Sequence, residues 1–437
     1  HHALDRYANR LVKAGYRIAI CEQVEDPRTA KGVVKRDVVE VVTAGTATED
    51  SFIDERSNNY ICALSLHEQQ TGMAICDLST GEFMVQQLSA DHCERELVRI
   101  EPSEIVIPQT QGERFGALKE QVSAVVTRLE DWKFSEDTAR ATLCDHFSCA
   151  SLDGMGLEGY AAGIEAAGAL LSYLKEQKRN DLRHISRIVP RSLGTWAELD
   201  PATIRNLELL RPLQTGESGG TLLSVLDKTS SAMGARLLKR WITHPLVDIG
   251  AINERLDGVA WLKKDVFVRG GLRLLLRRVA DIERIIGRVS YGRANARDLC
   301  GLCGSFSVFP DIVKNLASTQ NPLMTAITAD LSGFEDIKET ISSTVVEAPP
   351  LSIRDGGIIR AGVSANLDEL RDAARNGKQW IARLQESERE RTGIQTLKVG
   401  YNKVFGYYIE VSKANSGSVP EDYHRKQTLV GGERYIT

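Results

Sequence analysis

Residues 364–393 read SANLDELRDAARNGKQWIARLQESERERTG, and this stretch decides the architecture. Leu367, Leu370, Ala374, Gly377, Ile381 and Leu384 fall alternately three and four residues apart, the spacing of a coiled-coil seam. A helix from Ser364 to Arg391 would be on the order of 40 Å long at about 1.5 Å per residue, more than a compact core needs. The spacing therefore predicts an arm whose apolar stripe calls for a partner helix. After Gly393 the pattern changes to period two: Leu397, Val399 and Tyr401 alternate with Lys398, Gly400 and Asn402. Val404 to Val411 and Gln427 to Ile436 supply further strands, so a small sheet is expected at the tip of the arm. The chain stops at Thr437 with no segment left to run back along the arm, which makes a fragment the expectation.

On the N-terminal side of the arm, from Arg191 onward, helical patterns follow one another. They run through Ile204 to Leu210, Ala232 to Trp241, Ile252 to Leu262 and Phe267 to Val279, an all-α region. Before Arg191 the order is strands first and helices afterwards. Tyr60 to Leu66, Met73 to Asp77 and Phe83 to Leu88 predict a three-stranded meander, with turns at Thr71-Gly72 and Thr80-Gly81. A helix from His92 to Ile100, a strand from Glu104 to Ile107 and a helix from Ala161 to Glu176 complete an α/β layer of RNase H-like type. At the start, Leu4, Tyr7, Ala8, Leu11 and Val12 form a helical stripe that Gly15 stops. Arg17 to Cys21 reads as a short buried strand, Pro27 and Gly32 punctuate a loop, and Val33 to Val42 reads as another strand.

With 437 residues, 42% hydrophobic and 26% charged, the chain is an ordinary globular sequence of several domains. No apolar run approaches the roughly 18 residues of a membrane span, and the start is not a signal peptide, so no membrane partner and a cytoplasmic location are expected. Eight cysteines lie scattered from Cys21 to Cys303, and Cys300 with Cys303 forms a C-x-x-C without a second pair; reduced thiols are expected. Fifty-five Lys and Arg against 59 Asp and Glu give a net charge of -4, so nucleic-acid binding would have to come from a local basic surface.

Several blocks carry a resemblance. His2-Ala3-Leu4-Asp5, Lys13-Ala14-Gly15-Tyr16, Ile18-Ala19-Ile20-Cys21-Glu22-Gln23, Glu25-Asp26-Pro27 and Ala30-Lys31-Gly32 resemble the end of the mismatch-binding domain of the MutS DNA mismatch-repair family. Thr221-Leu222-Leu223-Ser224-Val225-Leu226-Asp227, Met233-Gly234, Leu237-Leu238-Lys239-Arg240-Trp241 and Arg354-Asp355-Gly356-Gly357 are similar to its lever region. Glu388-Arg389-Glu390-Arg391-Thr392-Gly393, Leu397 to Asn402, Gly406-Tyr407-Tyr408-Ile409, Gln427-Thr428-Leu429 and Glu433-Arg434-Tyr435 resemble its clamp. The likeness spans nearly the whole chain and is weakest from Thr46 to Pro190.

The resemblance implies a multidomain α+β chain. Residues 1–45 would be a small α/β remnant of the mismatch-recognition domain, 46–190 an RNase H-like connector, 191–377 an all-α lever domain with a coiled-coil-like arm, and 378–437 a small antiparallel β clamp. It also implies mismatched or duplex DNA, a second MutS subunit, and MutL at the connector as partners, with nucleoid association. ATP and Mg²⁺ would serve the full-length protein, a DNA-dependent ATPase. Within this chain no catalytic residue, cofactor site or metal site is assigned. The Phe-x-Glu mismatch wedge would lie upstream of His1, and the nearest approach to a Walker A loop, Gly377-Lys378-Gln379, lacks the first glycine and the hydroxyl residue. Ala44 stands where the family usually has proline, and Val430-Gly431 where many members offer polar or basic residues to DNA.

From Arg391 to Thr437 there are seven basic residues, Arg391, Lys398, Lys403, Lys413, Arg425, Lys426 and Arg434, against the four acids Glu410, Glu421, Asp422 and Glu433. Such a surface attracts phosphates without reading sequence. Lys398, Asn402, Lys403, Arg425 and Lys426 are the candidate DNA contacts, with Asn402 and Lys403 in a turn between strands. Charge runs also occur simply as solvated surface. Two other function classes stay open on composition: a metal-dependent nuclease using Asp77 and Glu82 beside the Ser79-Thr80-Gly81 turn, and a helical protein-interaction scaffold. Asp77 reads more simply as a turn cap, Cys144, His146 and Cys149 lack a fourth metal ligand, Cys300 and Cys303 fall on an apolar face, and His244-Pro245 reads as a helix stop.

Overall fold

The structure, a computed structural model, describes residues 4–25, 33–49, 52–113, 115, 122–178, 182–191, 194–213, 219–402, 406–420 and 422–436, less the side chains of 4–6, 373, 375, 378, 380 and 402. The expected Pro27–Gly32 loop and Lys403 lie outside the described residues. The chain forms two compact units, His1–Ile358 and Ile359–Thr437. It is a mixed α/β protein with several sheets and many helices.

The first unit begins with α1 (Leu4–Lys13) and the antiparallel pair β1 (Ile18–Gln23) and β2 (Arg36–Val42). The expectation of a buried strand at Arg17–Cys21 is corrected. β1 alternates half-buried and exposed residues and Cys21 is exposed, because a two-stranded ribbon has only one covered face. β2 starts at Arg36 rather than Val33, whose side chain is fully in solvent.

Next come β3 (Tyr60–His67), β4 (Gln70–Asp77), β5 (Glu82–Leu88), α2 (Ala90–Ile100), β6 (Glu104–Pro108), β7 (Val125–Leu129), α3 (Glu136–Phe147), α4 (Ala161–Lys178) and the short β8 (Val189–Pro190). The strands form one sheet in the order β7-β6-β3-β4-β5-β8. The meander β3-β4-β5 is antiparallel, while β6, β7 and β8 each run parallel to the neighbour they join. Both faces are buried. Ile61, Ala63, Ala74 and Val85 meet α3 and α4 on one side, and Cys62, Leu64, Met73 and Met84 meet α2 on the other, as period two requires.

The Thr71-Gly72 turn is also corrected: the chain reverses at Glu68-Gln69, where Glu68 has φ 54°, and Thr71 and Gly72 sit inside β4 opposite Leu66 and Ser65. Gly72 is there because α4 starts against the strand; a Cβ would stand 1.8 Å from the Ala162 carbonyl oxygen. The run AAGIEAAGALL of α4 has the same cause, since Gly168 lets α4 approach the backbone of Ala139 on α3. Wholly buried Glu104, at the head of β6, accepts hydrogen bonds from Thr43 Oγ1 (2.5 Å), Gly45 N (3.0 Å), Thr127 Oγ1 (2.6 Å) and Tyr173 OH (2.7 Å), tying the N-terminal segment to the sheet.

Helices follow: α5 (Pro201–Asn206), α6 (Leu222–Leu226), α7 (Ala232–Thr243), α8 (Ile249–Lys264), α9 (Val266–Leu276), α10 (Ile282–Ser290), α11 (Ala296–Leu316), α12 (Pro322–Ala329) and α13 (Glu335–Thr344). Asp200, Thr221, Ser231, Asp248, Asp265, Asp281, Asn295 and Asn321 each accept a backbone N–H at a helix head, which is why the helices start where they do. Val308, Phe309, Ile312 and Leu316 of α11 gather α8 and α9 around them. Cys300 and Cys303 lie on α11 as thiols outside any disulfide, their sulfurs facing the Val346 and Lys338 carbonyls, and His244 caps the end of α7.

The second unit contains α14 (Ala365–Thr392), capped by Ser364 and closed by Gly393 at φ 72°, followed by β9 (Lys398–Asn402), β10 (Gly406–Ser412), β11 (His424–Thr428) and β12 (Gly432–Ile436). These strands form an antiparallel sheet in the order β11-β12-β10-β9. Ile394, Leu397, Ile409, Val411, Tyr423 and Tyr435 make its core. Leu370 of the heptad stripe is 63% exposed. No described helix is long and apolar enough to cross a membrane.

Candidate functional site

The four-stranded sheet places the candidate DNA contacts at its two margins. Lys398 and Asn402 lie on β9, one edge, and Arg425 and Lys426 on β11, the other. Lys398 is in register with Glu410, and Glu410 with Arg434, so these three share one face by the alternation of strands. Arg434 pairs next with Gln427, whereas Arg425 pairs with Tyr435 on the core-facing side. Lys398 and Arg425 thus stand on opposite edges and opposite faces rather than in one patch. Asn402 closes β9 opposite Gly406.

Carboxylates occupy much of the basic surplus. Arg434 Nε donates to Glu410 Oε2 at 2.9 Å and its guanidinium lies 4.3 Å over the Tyr408 ring. Arg425 reaches Glu433 at 3.1 Å, and Arg391 is shared by Glu388 and Asp422 at 2.8 and 3.1 Å. Among the described residues, Lys398, Lys413 and Lys426 make no ion pair. Lys426 is the extra residue of a β-bulge: Arg425 faces Tyr435 and Gln427 faces Arg434, leaving it no partner on β12. Sequence reading counted Arg434 as basic but did not see that, with Glu410 and Gln427, it paves the face beside Lys398.

In the first unit, Asp77 is wholly buried. Its Oδ2 accepts from Asn58 Nδ2 (2.7 Å) and the Asn59 amide (3.2 Å), and its Oδ1 from the Ser79 amide (2.9 Å) and hydroxyl (2.7 Å). It caps the turn, as its position promised. Glu82 accepts from Tyr60 OH at 2.8 Å and pairs with Arg240. Both carboxylates of the nuclease reading are therefore engaged with the chain's own donors. His146 Nε2 lies 2.8 Å from the Ile185 carbonyl, so the Cys144, His146, Cys149 trio is held by packing and backbone contacts.

What sequence reading missed is the seam between the six-stranded sheet and the helices. Arg284 of α10, 1% exposed, donates to the carbonyls of Asp54 (3.0 Å) and Ser57 (2.7 Å) and to Ser79 Oγ (3.3 Å). Arg236 of α7 grips Asp281 at 2.7 Å, Glu283 at 2.6 Å and the Glu55 carbonyl at 2.9 Å. Beside them Glu96 of α2 is surrounded by Arg99 (3.1 Å), His244 (3.3 Å) and Arg191 (3.6 Å), all buried or nearly so.

Burial alone would push the Glu96 carboxyl up. The His244 hydrogen bond and the surrounding charges outweigh it and hold the carboxyl at about 2. Burial at the same time pulls the His244 imidazole below its usual value, so the guanidinium groups of Arg99 and Arg191 are the lasting positive partners. The unfolded chain holds its glutamates near 4.3, so the stabilisation is complete above about pH 5 and is lost as pH falls through 4 towards 2. A loss on the order of 3 kcal/mol over that window is expected, and Glu96→Gln should flatten that part of a urea-stability profile. A variant profile parallel to the parent's would refute the assignment.

Family models match the chain in order along its length: MutS domain I over residues 1–51, MutS domain II over 59–186 and MutS domain III over 202–416. The DNA mismatch repair protein MutS of Pelotomaculum thermopropionicum is 43% identical over 445 residues, covering 100% of this chain and 51% of the relative. Those of Methanococcoides burtonii and Salinibacter ruber are both 41% identical, each covering 100% of this chain and 50% and 49% of the relative. The chain spans about half the length of the curated relatives it matches. With three successive domains matched in order and relatives alike along the whole of this chain, the chain belongs to the MutS family.

Proposed function

We propose that this chain is the DNA-embracing and relaying part of a mismatch-repair protein. Residues 378–437 act as a clamp on the duplex backbone, 191–377 as a lever, 46–190 as an RNase H-like connector, and 1–45 as the end of a mismatch-recognition domain. In the whole protein the partners are mismatched duplex DNA, a second copy of the chain and MutL at the connector, in the cytoplasm at the nucleoid. The ATP and Mg²⁺ of the parent ATPase bind elsewhere than on these residues.

The observation that supports the reading is the small sheet, with Lys398 and the bulged Lys426 on its two edges and no ion pair at either among the described residues. Unpaired lysines on a sheet margin track phosphates, whereas arginines already bound to carboxylates must first be released. Asn402, at the end of β9, and Lys403, outside the described residues, belong to the same proposed surface, and Arg425 adds a contact if Glu433 yields it. The stripe of α14, half-buried except at exposed Leu370 and Ala374, would receive a partner helix.

The test is binding of the chain to a labelled duplex, matched and mismatched, across a salt series. Affinity should fall with salt and ignore the mismatch. Lys398→Ala/Lys426→Ala should weaken binding on both duplexes and reduce the slope of log K against log salt by about 2, since each phosphate contact contributes about 0.9. Failure to bind at low salt, or an unchanged slope in the variant, would remove the clamp assignment.

A further inference from the structure

The seam between the six-stranded sheet and the helices holds an open cleft of about 860 Å³, bounded by the 184–191 segment and β5 on one side and by α7 and α8 on the other. Five arginines line it, Arg187, Arg191, Arg236, Arg240 and Arg255, and only two carboxylates, Glu82 and Glu283. In a chain whose net charge is -4 this is a concentrated positive surplus.

Pairing accounts for three of the five arginines and leaves Arg187 and Arg255, Arg236 being held by Asp281 as well as by Glu283. Glu82 is taken by Arg240 and Glu283 by Arg236, while Arg191 turns to Glu96 at 3.6 Å. Arg187 and Arg255 have no carboxylate partner among the described residues. Arg255 instead stacks 3.8 Å over the Trp241 ring, and burial, with the nearby charge of Arg240 second, disfavours its charge. Arg236 adds a second kind of evidence: its side chain is 3% exposed, and its Nε finds no acceptor. A buried donor without a partner costs about 1–3 kcal/mol, and here it belongs to a residue lining the cleft.

We propose that this cleft binds a small polyphosphate, either free or as the phosphate tail of a nucleotide. Guanidinium forks match phosphate oxygens two at a time, and several around one cleft suit linked phosphates better than a single carboxylate. The volume lies within the roughly 300–1,000 Å³ typical of small-molecule sites. Bound there, the ligand bridges the sheet side through Arg187 and the helical side through Arg255, so it stiffens the seam.

The test is calorimetric titration of the 437-residue chain with inorganic pyrophosphate, with ADP and with adenosine, at constant ionic strength without divalent metal. Pyrophosphate should bind and adenosine should not. ADP binding more tightly than pyrophosphate would identify a nucleotide ligand, and the reverse order a free polyphosphate. Arg187→Ala/Arg255→Ala should weaken binding about tenfold or more. It should also abolish the rise in melting temperature that pyrophosphate gives the parent, while duplex binding by the small sheet stays unchanged. Arg187 is exposed and Arg255 half-buried, so the variant is expected to fold, with a near-ultraviolet circular dichroism spectrum like the parent's. Absence of pyrophosphate binding at millimolar concentration, or equal binding by the double variant, would overturn the proposal.

Discussion

Gly72→Ala is expected to cost at least 3 kcal/mol or so in stability, the upper part of the range for overpacked cores. The added carbon would stand 1.8 Å from the Ala162 carbonyl oxygen and 2.5 Å from the Gly163 amide, both backbone atoms at the head of α4. A flexible side chain could swing away, but a helix terminus packed on a sheet moves only with the helix. The expected outcome is a lower urea midpoint and loss of tight packing between α4 and β4. Gly377→Ala in α14 supplies the opposite sign. Its Cβ meets no described atom within 4 Å, and alanine in an open helix position gains roughly 0.5–1 kcal/mol over glycine. A Gly72→Ala protein as stable as the parent would mean that α4 does not lie against β4 at this point.

Arg284→Ala is expected to lose about 3–5 kcal/mol, combining a large buried volume with acceptors stripped of their donor at about 1–3 kcal/mol each. The residue is 1% exposed and holds the 54–57 segment and the Ser79 turn onto α10 at once. Arg284→Lys keeps the charge but not the fork, so it should recover only part of the loss. Hydrogen exchange is the sharper measurement. Amides of residues 54–59 and 77–82 should exchange faster in Arg284→Ala, while those of β9 to β12, in the other compact unit, should not change. Uniform acceleration across both units would point to general destabilisation instead of a local fastening.

How much of this was legible beforehand follows from what a pattern can encode. The meander emerged because Tyr60 to Leu66, Met73 to Asp77 and Phe83 to Leu88 are dense in strand-forming residues, and the structure has strands there. The Thr-Gly pair at 71–72 misled because glycine serves equally for a turn and for close approach, and only the position of α4 separates the two. β7 and α3 escaped notice: β7 is five residues long, and α3 buries only Ala139 and Leu143, too few to print a stripe.

At the candidate DNA site the charges were visible and their pairings were not. Whether an arginine is free depends on strand register, and a single bulge at Lys426 decides that Gln427 rather than its neighbour faces Arg434. Arg284 carried no signal at all, since one arginine in an amphipathic helix reads as surface until three acceptors from distant parts of the chain close around it.

The bulge in β11 has a second consequence. The β11 margin of the four-stranded sheet offers a row of backbone groups to any extended chain, which is how sheets of separate molecules fuse into aggregates. α14 covers part of the β9 margin, Gln385 Oε1 accepting from the Val399 amide at 3.0 Å and Arg389 Nε donating to the Leu397 carbonyl at 2.7 Å. Lys398 charges one margin, and Lys426, displaced by the bulge, both charges and kinks the other. The same lysines that suit the sheet to a polyanion also keep it from growing by the addition of further strands, so neutralising them should leave a protein that is less soluble at high concentration.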